Sequence, residues 1–154
     1  MNAVTRRRHA ALRRVARWLA AAYLVTLALI AFWPTPVDRG AAGTISSVLA
    51  RLHAHGVPDW VNYQLVEFTA NIALFLPVGL LGVVLVGANQ WWWAVVAGFA
   101  VSSLIELGQL VFLPGRFATP ADVLANATGA VFGALLAMLL LDAVTSHDRS
   151  QRNA

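Results

Sequence analysis

Apolar stretches at residues 18–33, 66–87, 91–113 and 123–143 constrain this chain more than anything else in it. A bilayer core about 30 Å thick takes about 20 apolar residues per helix. The last three stretches reach that length, and the first, with sixteen residues, is lengthened at its inner end by Val15 and Ala16. A soluble bundle would place polar residues at regular turns of its outer faces, and these segments do not. With 59% hydrophobic and only 12% charged residues, the chain predicts an all-α fold. It reads as a polytopic integral membrane four-helix bundle made of two helical hairpins.

Charge sets the expected orientation. Six of the eleven arginines (Arg6, Arg7, Arg8, Arg13, Arg14 and Arg17) precede the first stretch, the positive-inside pattern. N- and C-termini are therefore expected in the cytoplasm. Residues 1–17 form a basic N-terminal segment, 18–143 the membrane domain with an outer loop at 34–65, and 144–154 a cytoplasmic tail. Trp18 and Trp91, Trp92 and Trp93 fit the inner interface, Trp33 and Trp60 the outer one. The sequence pI near 11 suits anionic membrane lipid as a partner rather than nucleic acid. A cleaved leader is disfavoured, because Ala31, Phe32, Trp33 and Pro34 offer no small-x-small site.

Against this background one polar string stands out. Ser102, Glu106 and Gln109 share one helical stripe, which Gly98 extends inward. Asp122, Asn126, Gly129 and Gly133 form a second stripe, and Gly129-x-x-x-Gly133 permits close approach of another helix backbone. A short connection makes these two segments an antiparallel hairpin, so the stripes are expected to face each other. Glu106 lies seven residues before Leu113, about 10 Å below the outer rim. Glu67 and Asn71 open the second segment on the same side. Their spacing, an acid followed by Ala-Asn, echoes Asp122 and Asn126. Pro77 is expected to kink that segment, and residues 43–56 read as a short amphipathic helix at the outer surface.

A carboxylate at the bilayer centre costs about 2.5–3.5 kcal/mol, so Glu106 calls for a partner, a proton or water. A Glu106–Arg116–Asp122 network is the natural pairing. It either fastens the hairpin or lines an outward-facing cavity for a headgroup, an ion or an antibiotic. As an enzyme the chain would use Glu106, Asp122 and Arg116 as catalytic candidates, with a carboxylate as acid or base. No span carries a histidine, and the chain has no cysteine, so neither a Ser-His-Asp set nor a thiol nucleophile is available. No metal and no cofactor is expected; His53 and His55, two residues apart, face different ways on a helix. A third reading makes the protein a structural subunit that packs through Gly129 and Gly133 against a partner.

The ordered set Asn71-x-x-x-Phe75-x-Pro77-x-Gly79, Glu106-x-x-Gln109, Arg116 and Asp122-x-x-x-Asn126-x-x-Gly129-x-x-x-Gly133 closely resembles the VanZ-like family of bacterial membrane proteins. The resemblance covers about residues 18–141. It implies a four- or five-helix protein of the bacterial cytoplasmic membrane. It also implies functional roles for Asn71, Glu106, Gln109, Arg116, Asp122 and Asn126. The name-giving member is linked to low-level resistance to the glycopeptide teicoplanin. The ligand suggested by this likeness is a lipid-linked cell-wall precursor or a glycopeptide. Members often carry a further acid between the arginine and the aspartate, where this chain has Thr119, Pro120 and Ala121.

Overall fold

The computed structural model describes residues 3–33, 40–113 and 119–153. Five α-helices are present among them: α1 (Ala3–Ala31), α2 (Ala42–Ala54), α3 (Tyr63–Val86), α4 (Trp91–Phe112) and α5 (Pro120–Asn153). A 3-10 turn, Ala88–Gln90, joins α3 to α4. Four helices are long and apolar enough to cross a membrane, over Arg13–Ala31, Tyr63–Val86, Ala88–Phe112 and Pro120–Ser146. The outermost helices run beyond the apolar stretches. α1 passes without a break through the basic residues Arg13, Arg14 and Arg17, and α5 continues past Ala143.

Local chemistry fixes the helix ends. Asn62 caps α3, its side chain accepting a hydrogen bond from the Leu65 amide at 3.0 Å. Gly87 ends the same helix with φ +96°, a left-handed conformation that favours glycine. α2 closes at Gly56 (φ +89°) in a Schellman arrangement, Val57 N–H to the Leu52 carbonyl and Gly56 N–H to that of His53. This helix matches the amphipathic segment expected at 43–56.

α3 and α5 form the central pair, the most extensive contact in the bundle. Their backbones touch: a Cβ on Gly129 would strike the Ile72 carbonyl, one on Gly133 the Leu76 carbonyl, and one on Gly79 the Ala130 carbonyl. Such contact without side chains is how membrane helices gain dispersion energy where lipid removes the hydrophobic drive. α4 lies against both, α1 packs on α3 and touches α4, and no contact joins α1 to α5 among the described residues. Tyr23 of α1 donates its hydroxyl to the Leu74 carbonyl at 2.7 Å, one turn before Pro77. Large apolar side chains such as Leu104, Leu107 and Phe112 on α4, and Leu124, Phe132 and Leu139 on α5, point outward. That inside-out pattern, small residues within and large ones outside, suits a lipid environment.

Candidate functional site

Four rungs, each one helical turn apart, set the register between antiparallel α4 and α5. Deepest is Ala94 with Ala134, which share one buried cluster with Val83 and Ala137. A turn outward, Gly98 meets the Ala130 methyl. Next, Asn126 donates its amide to the Ser102 hydroxyl at 2.9 Å. One further step of four residues on each helix brings Glu106 level with Asp122. The inner two rungs are small and apolar, the outer two polar.

Burial follows the ladder. Ser102 is fully buried and Asn126 is 5% exposed, whereas Glu106 and Asp122 above them are half-buried. Glu106 nevertheless has its Oε2 shut off from the surface, and Asn126 Oδ1 is likewise enclosed, with no donor within hydrogen-bond reach.

Asp122 is gripped from two sides. Asn71 of α3 donates its amide to Oδ1 at 2.8 Å, and the Thr119 hydroxyl donates to Oδ2 at 2.8 Å. Thr119 also accepts from the Asp122 amide at 3.3 Å, so it serves as the N-cap of α5, with proline in the first turn. Thr119, one of the three residues that stand where the family resemblance implies a further acid, therefore caps α5 and orients Asp122. Thr119 was legible as a cap in the sequence, from a threonine three residues before an acid, but drew notice only as a missing acid.

The two stripes expected to face each other are divided among three neighbours. On α4, Gly98 and Ser102 do meet α5, but Gln109 turns to α1 and donates to the Ala31 carbonyl at 2.9 Å. On α5 only Asn126 turns to α4; Asp122, Gly129 and Gly133 address α3. The glycine stripe expected to serve an outside partner is thus filled by the chain's own α3. Its physical reason is a parallel α3–α5 crossing, which places carbonyls of α3 where any glycine side chain would stand. Glu67 is exposed one turn outward of Asn71. The echo between the two acid–Asn motifs pairs one way only, Asn71 with Asp122, since Asn126 bonds Ser102 instead. Arg116, and with it the Glu106–Arg116–Asp122 network, lies outside the described residues.

His53 and His55 each meet a backbone carbonyl. A ring nitrogen of His53 lies 3.0 Å from the Val61 carbonyl and one of His55 lies 2.7 Å from that of Arg51. No group of three metal-ligating side chains occurs among the described residues.

Four spans, a core of glycine and alanine, and polar side chains gathered at one end define a multi-pass membrane protein. Its residues 20–141 match the VanZ/LLP1 family, and the chain belongs to that family. No curated protein and no solved structure matches it.

Proposed function

We propose that the protein lies in the bacterial cytoplasmic membrane with both termini inside and its polar end outward. There it recognises a polar component of the cell envelope, a lipid-linked wall precursor or a glycopeptide such as teicoplanin. The observation that carries this reading is the sorting of the ladder. Polar groups from α3, α4 and α5 converge at one end, and the opposite half of the same interface is bare of them. A fastening role alone would be served by the glycine contacts that already hold α3 to α5.

In this reading Arg116, which lies in the sequence between α4 and α5, contacts a phosphate or carboxylate of the ligand. Asn71 and Asp122 form the rim beside it, while Ser102 and Asn126 hold the turn beneath. Gln109 fixes α1 against α4 at the same level. The Glu106→Gln variant, present at normal membrane levels, is expected to abolish any glycopeptide tolerance that the protein confers. Unchanged tolerance overturns the proposal.

Two carboxylates on one rung also favour a second reading, an enzyme that modifies a lipid headgroup with Glu106 or Asp122 as acid or base. Turnover of a labelled envelope lipid by the purified protein, lost in Asp122→Asn, decides for it. Binding without turnover decides against it.

A further inference from the structure

α2, with 13 residues, is too short to cross a membrane, and it is apolar on more of its surface than the bundle covers. Ile45, Leu49 and His53 share one helical face. Leu49 is the buried residue of that face, and the other two are half-buried. Val48 and Leu52 form the stripe next to it and stay 49% and 41% exposed. Ser47 and Ala54 point away from the bundle, small and exposed. Arg51, also exposed, lies on the border between the apolar stripe and that outer face.

The chain itself holds this helix at the membrane surface. A ring nitrogen of His53 lies 3.0 Å from the Val61 carbonyl, and Asn62 caps the helix whose membrane-spanning stretch begins at Tyr63. Trp60, 68% exposed, precedes that stretch by three residues, at the level where tryptophan is enriched in membrane proteins. An uncovered apolar stripe is therefore fixed at the rim of the spans, where water would have to solvate it if lipid did not cover it.

We propose that α2 lies along the bilayer surface as an interfacial arm, and that the lipid of the adjacent leaflet covers its free apolar stripe. Val48 and Leu52 sink to the boundary between headgroups and acyl chains, Arg51 reaches lipid phosphates from the border of the stripe, and Ser47 and Ala54 face water. The order of the faces around the helix favours lipid over a protein partner. Bundle side, apolar side and polar side follow one another, the order required of a helix wedged in the corner between a bundle and a bilayer. Such an arm sets the height of the start of α3, and so of Asn71 further along it, against the headgroups. It is separate from whatever the polar end recognises, and it meets lipid whichever way the protein faces.

Spin labelling of the cysteine-free full-length chain in lipid nanodiscs tests this. Nitroxides at Val48→Cys, Leu52→Cys and Ser47→Cys are compared with one at Leu104→Cys, whose side chain points outward from α4. All four replace exposed side chains, so the bundle contacts are left intact. Oxygen, which concentrates in the bilayer, is expected to relax the labels at 48 and 52 as it does the one at 104, and a water-soluble nickel chelate to relax mainly the one at 47. Labels at 48 and 52 that respond to nickel as strongly as the one at 47 put the stripe in water and overturn the proposal. Labels at 48 and 52 shielded from both reagents put a protein surface there, a second copy of the chain or another partner, and overturn it equally.

Discussion

Thr119 shows how much one hydroxyl can organise. It closes the first turn of α5 and steers Asp122 toward Asn71, so it couples a helix start to an interhelical bond. Loss of such a cap costs about 1 kcal/mol. Thr119→Ala is therefore expected to lower the thermal midpoint of the detergent-solubilised protein, and Thr119→Ser to leave it nearly unchanged. Asn71→Asp makes a sharper test, because it replaces the donor facing Asp122 by a second carboxylate. That variant is expected to be less stable than the wild type at neutral pH, because two like charges then face each other in place of a hydrogen bond. A variant as stable as the wild type would contradict the Asn71–Asp122 bond. Asp122, Asn126 and Glu106 were conspicuous in the sequence because polar groups in apolar runs are costly. The Gln109 bond was not legible, since its acceptor is a backbone carbonyl set by where α1 ends.

At the scale of elements, the helices themselves were readable from length and hydropathy, and the capped start of α3 and glycine end of α2 follow ordinary rules. Partner choice was harder. A small-xxx-small pattern states that something comes close, not which helix it is. Gly129 and Gly133 were read beside α4 because the hairpin is short, yet α3 fills them. Gly133→Ala puts a methyl group into the Leu76 carbonyl and the Leu80 amide nitrogen, backbone atoms that cannot rotate away. Overpacking of this kind costs about 1–3 kcal/mol. Steric trapping or reversible unfolding in mixed micelles should record that loss. Gly43→Ala in α2, where an added Cβ meets nothing within 4 Å, should be neutral or gain at most about 1 kcal/mol. Equal effects at the two sites would rule out the backbone crossing.

For the whole molecule, orientation decides which side of the membrane the polar end meets. The arginines of α1 sit at the end opposite the Glu106–Asp122 rung, as does the Trp92–Trp93 stack, whose ring centroids are 4.2 Å apart. With no native cysteine, single-cysteine labelling by a membrane-impermeant reagent has no background. A cysteine at position 116 is expected to react from outside intact cells and one at 89 to stay silent. The opposite pattern would turn the polar end to the cytoplasm and remove an envelope ligand from consideration. Hydropathy made the spans visible, and the arginine count suggested their direction. The order of packing was invisible, because lipid-exposed and buried faces are both apolar and differ only in side-chain size.

The backbone contact between α3 and α5 has a consequence for how the protein is made. The helix that completes the core is the last of the four spans to leave the ribosome. Until it arrives, the stretch of α3 from Ile72 to Leu80 lacks the close backbone neighbour that Gly129 and Gly133 supply. Assembly of the core must therefore wait for α5, and the first three spans alone form an open half-bundle.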